Sequence, residues 1–345
     1  MGKPIAGREH TSYDPRMRMP RSPRIRPARL RALWGAIVLG GAVASCGSRT
    51  GLFGEDDPSV GTTTGGPHGT GEAGQDGGFD TGLDGLPMVD VMPKPDVDRT
   101  GCPDADATYI YVVTEQNELF SFFPPDLSFK FIGNLVCPVA GGATPFSMAV
   151  DRRGVAYVLY GDGELFRVST ATAACTATTF ATNQDGFETF GMGFASDFGG
   201  PAERLYVADN DFDGTLRGLG VIDTTTFGLS FIGSFGTTIR RSELTGTGDG
   251  RLFAYWPDNV PGGGSHLTEL NKATGQVVAQ TNLPIGDRND AFAFAFWGGD
   301  FWIFTSSGGT SIVSRFRPAD GTTTMPTKHP STIVGAGVST CAPQL

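Results

Sequence analysis

The sequence lacks the features that mark several large classes of protein. Its longest apolar run, residues 33–43, is well short of the roughly twenty residues that a membrane-spanning helix needs. Only four histidines occur in 345 residues. There is no C-x-x-C pair, no G-x-S-x-G and no phosphate-binding glycine loop. A histidine metal cluster, a nucleophile-elbow hydrolase and a P-loop enzyme are therefore not indicated.

The first 45 residues have the pattern of a secretory signal, with a basic stretch followed by a short apolar run. Residues 43–46 read VASC and resemble the lipobox of bacterial lipoproteins. The resemblance implies cleavage before Cys46, a diacylglycerol on its sulfur and attachment to a membrane. Gly47, rather than Asp, follows the cysteine, which in such lipoproteins favours the outer membrane. The alternative is a chance cysteine in an ordinary signal peptide.

Basic residues are scarce once this signal is set aside. Residues 46–345 carry 17 of the 26 basic side chains but 34 of the 36 acidic ones, a net charge of −17. Such a surface repels phosphate backbones, so nucleic acid is excluded as an expected partner.

Residues 46–101 are rich in Gly, Thr, Asp and Pro and contain few large apolar side chains. They cannot bury enough apolar surface to offset the entropy lost on ordering, so we expect a disordered tether. The predicted domains are therefore a lipoprotein signal at 1–45, the lipidated cysteine with its tether at 46–101, and a folded domain at 102–345.

The folded domain has few helical patterns and many short alternating segments separated by Gly, Asp and Asn, which predicts an all-β fold. Self-comparison reveals a period near forty to fifty residues. A segment of large apolar residues alternating with small ones occurs five times, and an aromatic-rich strand follows most copies. The five copies are PFSMAV (145–150), TFGMGFA (189–195), ELTGTG (243–248), AFAFAFW (291–297) and TIVGAGV (332–338).

Five groups of four strands resemble a five-bladed β-propeller. The small residues suit first strands, which crowd around the axis of a propeller. The last copy of the repeated segment, 332–338, has no aromatic-rich strand after it. The earliest aromatic-rich strand, 108–113, has no copy of the repeated segment before it. We therefore predict that the two ends of the domain complete one blade together. A six-bladed ring with one degenerate blade and a β-sandwich are the alternatives.

The four cysteines of this domain, an even number, are expected to form disulfides in an oxidising compartment. Cys102 and Cys341 flank the two halves of the shared blade, which favours a bond between them. Cys137 follows the fourth strand of that blade and Cys175 lies at the fourth strand of the next. We therefore predict Cys102–Cys341 and Cys137–Cys175.

The sharpest local motif is DNDFDG, in which Asp209, Asp211 and Asp213 occupy alternate places of a calcium loop. The ninth and twelfth places of that loop hold Arg217 and Gly220, so the ligand set is incomplete. Calcium is the one cofactor that the sequence suggests. An acidic hairpin turn is the alternative.

Two polar loops are candidates for a ligand-binding face. One loop follows an aromatic-rich strand, and the other precedes a copy of the repeated segment. Resemblance to propellers implies that such loops share the face at the channel mouth. The candidates are Trp256, Asp258, Asn259, Asp287, Arg288, Asn289 and Asp290.

The sequence thus predicts an exported, lipid-anchored propeller that binds a ligand or scaffolds an envelope protein or glycan. The alternative is a carbohydrate-active enzyme of the same shape, since five-bladed glycosidases use carboxylates alone. Nothing in the sequence marks a catalytic pair, so a non-catalytic role is favoured.

Overall fold

The structure, a computed structural model, describes residue 102 and residues 108–197, 200–210, 217–236, 239–258, 260, 262–286 and 290–345. The chain divides into two units, Met1–Asp84 and Gly85–Leu345, and every described residue belongs to the second. The predicted signal, Cys46 and the tether lie outside the described residues. Among the described residues there is no helix with the length and hydropathy of a membrane span.

Within the described residues, twenty strands form five antiparallel four-stranded sheets, so the fold is a five-bladed β-propeller. The six-bladed and sandwich alternatives are excluded. Blade 1 contains, from the axis outward, β20 (Ile333–Val338), β1 (Ile110–Thr114), β2 (Glu118–Phe123) and β3 (Ser128–Asn134). Blade 2 contains β4 (Pro145–Val150), β5 (Val155–Tyr160), β6 (Leu165–Ser169) and β7 (Cys175–Ala177). Blade 3 contains β8 (Phe190–Ser196), β9 (Glu203–Asp209), β10 (Leu219–Ile222) and β11 (Leu229–Gly233). Blade 4 contains β12 (Glu243–Gly246), β13 (Leu252–Pro257), β14 (Ser265–Leu270) and β15 (Val277–Leu283). Blade 5 contains β16 (Ala291–Trp297), β17 (Asp300–Ser307), β18 (Thr310–Arg317) and β19 (Thr322–His329).

The five repeated segments of the sequence are the five innermost strands, β4, β8, β12, β16 and β20, and each packs against the next around the axis. The ends of the domain share blade 1, because β20 pairs with β1 in register from Val338 opposite Ile110 to Gly335 opposite Val113. This closure joins the first and last strands of the domain in one sheet. The prediction that the two ends complete one blade is confirmed.

The core is divided into five apolar clusters, each between two neighbouring blades. β16 shows how one strand serves two of them. Phe294 and Phe296 pack toward blade 4, whereas Ala293 and Ala295 pack toward blade 1. The two-residue period of a strand places these sets on opposite faces, and the alanines let β16 approach β20 closely.

Both predicted disulfides are present in the structure. Cys102 and Cys341 are joined with their Cα atoms 6.0 Å apart, which ties the start of the domain to the end of β20. Cys137, beyond β3, is joined to Cys175 in β7 with a Cα separation of 5.2 Å. The first bond closes the ring, and the second links the outer edges of blades 1 and 2.

Candidate functional site

A cavity of about 180 Å³ opens at the end of the ring where the innermost strands begin. We call it the mouth cavity. The starts of four innermost strands contribute to its wall, so it lies at one mouth of the central channel. Its lining residues are Glu115, Thr144, Pro145, Phe146, Asn210, Arg241, Glu243, Asp290, Ala291, Phe292 and Val334.

Glu243, the first residue of β12, is the acid that lies deepest in this cavity, and it is 3% exposed. Its Oε2 accepts a hydrogen bond of 2.7 Å from the hydroxyl of Ser147 in blade 2. The same hydroxyl accepts the backbone amide of Met192, in blade 3, at 3.1 Å. The hydroxyl of Ser147 in blade 2 therefore links the carboxyl group of blade 4 to the backbone of blade 3.

Glycines in β8 make this contact possible. A Cβ on Gly191 would overlap the backbone carbonyl of Ser242, and one on Gly193 would lie 2.7 Å from the carbonyl carbon of Leu244. Only glycine allows β12 to lie this close to β8. The close approach leaves the Glu243 side chain within reach of Ser147.

Burial sets the chemistry of this acid. Desolvation raises the pKa of Glu243 well above its usual range, and this outweighs the hydrogen bonds from Ser147 and Met192 and the attraction of Arg241. Glu243 is thus biased toward its neutral, protonated form. A neutral carboxyl group can donate a hydrogen bond or a proton, which an ionised carboxylate cannot do.

The other charged groups of the mouth cavity lie nearer the solvent. The guanidinium of Arg241 lies 5.5 Å from the centre of the Phe292 ring. Asp290 precedes β16, and its carboxylate accepts the backbone amide of Gly308 at 2.6 Å. With Glu115 and Glu243, the described part of the lining has three carboxyl groups and one guanidinium. This set disfavours anions and suits a neutral polyhydroxyl ligand or a cation.

Asp258 follows β13 and Asp290 precedes β16, and these are the described residues at the starts or ends of the two predicted loops. Glu243 at the start of β12 pairs with Tyr255 near the end of β13, so the residues after β13 share this end with the residues before β16. Of the predicted candidates, Asp290 lines the mouth cavity. Asn259, Asp287, Arg288 and Asn289 lie outside the described residues.

Trp256 and Asp258 belong instead to a separate cluster at the end of blade 4. The Trp256 ring is 8% exposed, packs in the core between blades 3 and 4, and stacks on His266 with centroids 4.0 Å apart. Asp258 Oδ1 lies 2.7 Å from His266 Nε2, and its Oδ2 accepts the amide of Gly264 at 2.8 Å. The histidine bond and the amide bond lower the pKa of Asp258. These contacts join the end of β13 to the start of β14 in blade 4.

Asp209, the first acid of the predicted calcium loop, is buried and performs the same local task in blade 3. Its Oδ2 accepts the backbone amide of Arg217 at 2.7 Å, which closes the hairpin between β9 and β10. Asp211 and Asp213 lie outside the described residues. Within the part of the chain that the structure describes, no cluster of three metal-ligating acidic, histidine or cysteine side chains is present.

Sequence reasoning missed Glu243, although a signal for it exists. The five copies of the innermost strand contain a single charged residue, and that residue is Glu243. A charge in a segment that is otherwise apolar or small marks a position whose burial needs a specific partner. That partner, Ser147, lies 96 residues earlier in the chain, so the sequence does not show the pair.

A partly buried acid, Glu203, lies at the opposite end of the ring, beside the closing disulfide. Glu203 begins β9, and its two carboxylate oxygens accept the backbone amide of Arg152 and the hydroxyl of Thr340, each at 2.7 Å. The side chain of Arg152 also reaches to 3.6 Å from the sulfur of Cys102. Desolvation raises the pKa of Glu203 to about 7. This acid connects blades 1, 2 and 3.

Comparison with known proteins gives likeness of shape alone. No family model and no curated protein matches the chain. A nidogen/laminin complex aligns with a TM-score of 0.43 and 12% identity, covering 68% of this chain and 99% of that one. TolB from Acinetobacter baumannii gives 0.38 and 12%, covering 65% of this chain and 53% of TolB. A protein of unknown function from Bacteroides caccae gives 0.37 and 11%, covering 67% and 98%. Such distant likeness implies nothing about the ligand of this chain.

Proposed function

We propose that the chain is an exported, lipid-anchored propeller that binds a small polar ligand in the mouth cavity. Two disulfides support export, because such bonds persist in oxidising compartments. The VASC sequence before residue 47 supports a lipid anchor on Cys46, and the glycine after it supports the outer membrane. An envelope glycan, neutral and rich in hydroxyl groups, fits the mouth cavity better than an anion does.

One observation carries the binding site: Glu243 is fully buried, biased toward its neutral form, and lines a cavity. A buried acid has a desolvation cost that ordinary packing would avoid, so such a group at the mouth of a channel supports a functional site there. The neighbouring Phe146 and Phe292 add apolar surface for the C–H faces of a sugar.

We expect the full chain to bind at least one neutral glycan, and Thr144→Trp to weaken that binding about tenfold or more. Thr144 is exposed at the rim of the mouth cavity, so an indole there fills the cavity while leaving the core unchanged. Glycan-array screening followed by calorimetric titration measures the effect. A loss of about 1.4 kcal/mol of binding free energy corresponds to this tenfold change.

The matched control is Thr324→Trp, which puts the same side chain on the exposed outermost strand of blade 5. Equal weakening by both variants would argue against the mouth cavity as the site. If no neutral glycan binds and a cationic ligand does, the acidic cavity still has a ligand but the glycan assignment is wrong.

A glycosidase is the second candidate, and the raised pKa of Glu243 favours it specifically. Glycoside hydrolysis needs one protonated carboxyl group as the acid and a second carboxyl group as base or nucleophile. Glu115 and Asp290 line the same cavity and are the available second groups. In a hydrolysis screen of aryl glycosides, Glu243→Gln should then lower the rate at least about a hundredfold while the array signal persists. Binding without hydrolysis would leave the non-catalytic role.

We expect Cys46 to be the acylated amino terminus of the mature protein. Ala44 and Ser45, the two residues before the cut, are small, which suits a narrow protease pocket, and the cysteine thiol can form a thioether. Mass spectrometry of protein extracted from membranes tests this directly. Cys46→Ser should release the protein from the membrane fraction, whereas Cys102→Ser should not. An unmodified chain beginning at Gly47 would disprove the anchor.

Calcium, if it binds, should bind weakly to the loop of Asp209, Asp211 and Asp213. The ninth and twelfth positions lack acids, and the Asp209 carboxylate is already engaged by the amide of Arg217. Calorimetric titration should give a shallow isotherm that Asp211→Ala removes. Absence of heat from the wild type would identify the motif as a hairpin turn.

A further inference from the structure

A larger cavity lies on the opposite side of the propeller, between blades 4 and 5. Its volume is about 390 Å³, within the range of small-ligand pockets, which run from roughly 300 to 1,000 Å³. It opens near the turn between β12 and β13 and the turn between β18 and β19, where the innermost strands end. We call it the aromatic cleft.

Phenylalanines form the floor of the aromatic cleft. Phe253 and Phe301 meet edge to face with centroids 4.8 Å apart, and Phe296 meets Phe301 in the same way at 5.3 Å. Phe316 completes the set. These edge contacts and the surrounding core fix the ring orientations before any ligand arrives, so a ligand would not have to order them.

One edge of the aromatic cleft is polar. Arg251 donates two hydrogen bonds to Glu269, from Nε at 3.0 Å and from Nη2 at 2.7 Å, and its guanidinium lies 4.7 Å from the centre of the Phe253 ring. The bonds to Glu269 raise the pKa of Arg251. A fixed guanidinium and carboxylate side by side present donors and acceptors at defined places.

This combination selects the chemical class of the ligand. An anion is disfavoured, because Glu269 already neutralises Arg251 and Asp249 leaves the lining with a negative charge. A wholly apolar ligand would bury the Arg251–Glu269 pair without replacing its contacts with water. We propose that the aromatic cleft binds a single neutral pyranose ring, with its C–H face on the phenylalanines and its hydroxyl groups on the Arg251–Glu269 pair.

The test is titration of the full chain with neutral methyl pyranosides, followed by saturation-transfer NMR and calorimetry. We expect at least one pyranoside to bind with a millimolar dissociation constant. Ala279→Trp should weaken that binding about tenfold or more, since Ala279 is exposed on β15 and lines the aromatic cleft. Glu269→Gln should also weaken it, because it removes the charge that orients Arg251.

Val278→Trp is the matched control. Val278 precedes Ala279 on the same exposed strand and points to the other face, so its indole leaves the aromatic cleft open. Its affinity should stay within about twofold of the wild type. The absence of saturable pyranoside binding, or equal weakening by Ala279→Trp and Val278→Trp, would overturn the proposal. Weakening by Thr144→Trp but not by Ala279→Trp would place the sugar in the mouth cavity and would equally overturn it.

Discussion

Replacing Cys102 and Cys341 together with serine should destabilise the propeller by up to about 5 kcal/mol. The bond spans a sequence separation of 239 residues, and the chain-entropy model gives this upper figure for a loop of that length. Native strain and residual structure in the unfolded chain reduce it. Because both cysteines are replaced, neither position leaves a free thiol that could form another disulfide.

The second disulfide supplies the comparison. Cys137 and Cys175 are 38 residues apart, for which the same model gives about 4 kcal/mol. Urea unfolding of the two double variants should therefore rank the loss of Cys102–Cys341 as the larger. Non-reducing peptide mapping establishes the two bonds beforehand. A linkage of Cys102 to Cys137 or Cys175, or the reverse ranking of the two variants, would contradict the idea that this bond closes the ring.

Closure does not depend on the disulfide alone, which is why we expect destabilisation rather than complete loss of the fold. The register of β20 with β1 is continuous from Val338 to Gly335. Trp297 in blade 5 donates its indole N–H to the backbone carbonyl of Thr108 at 2.7 Å. The backbone amide of Gly298 donates to the backbone carbonyl of Pro343, also at 2.7 Å. These bonds tie both ends of the domain to blade 5.

The innermost strands were predictable because their physical requirements are strong. Each must alternate large and small side chains to pack between two neighbouring blades, and residues 291–296 of β16 show this pattern. The blade shared by the two ends followed from counting strands of each type. Cysteine pairing followed in turn from the blade assignment, since each pair lies where the ring requires neighbours.

The outermost strands gave weaker signals for a physical reason. β7 has only three residues, and two of them are exposed. β19, TTTMPTKH, is mostly exposed and contains a proline, which an edge strand tolerates. Strands that face solvent on the rim need no apolar alternation, so their sequences resemble those of loops. The outermost strand of blade 5 was accordingly not distinguished.

The candidate site was predictable only in part, because its chemistry comes from contacts between distant segments. Asp290 was identified from its loop position, and it does line the mouth cavity. Glu243 was not, since its burial depends on Ser147 and on the glycines of β8. The local pattern around Asp209 suggests a metal loop, and the structure shows that one oxygen of its carboxylate accepts the amide of Arg217, so calcium binding there stays a prediction. Acids that close hairpins and acids that bind ligands look alike in a sequence.

The propeller should lose stability as the pH rises from about 4.5 to about 7. Glu203 has a folded pKa of about 7, raised by burial from 4.5, so folding favours its protonated form. Its stabilising contribution is complete below pH 4.5 and is lost as the pH rises through 7. A shift of this size corresponds to roughly 3 kcal/mol, at about 1.4 kcal/mol per pH unit. Glu243 acts in the same direction, because its pKa is also raised.

The other shifted groups do not cancel this trend. Asp223, Asp258 and Asp320 have lowered pKa values, so they act in the opposite direction but below about pH 4. Burial lowers the pKa of His329, so folding favours its neutral form. Its contribution to stability therefore increases as the pH rises toward 6.5. That group opposes the trend within the window, so the net slope is smaller than the two acids alone would give. Variants at Glu203 isolate its own share.

Glu203→Gln should flatten the fall in unfolding free energy between pH 5 and pH 7, because the amide cannot ionise. The carboxyl group faces Arg152 and Asp151, which oppose each other, so desolvation dominates the difference between variant and wild type. Some loss at pH 5 is expected as well, since one oxygen that accepts Arg152 or Thr340 becomes an NH₂ group. Urea unfolding at a series of pH values gives the slopes. Glu188→Gln, at an exposed position, should keep the wild-type slope. If Glu203→Gln keeps that slope too, the acid beside the closing disulfide is ionised in the folded protein, and the three blades are joined there by a carboxylate rather than by a neutral acid.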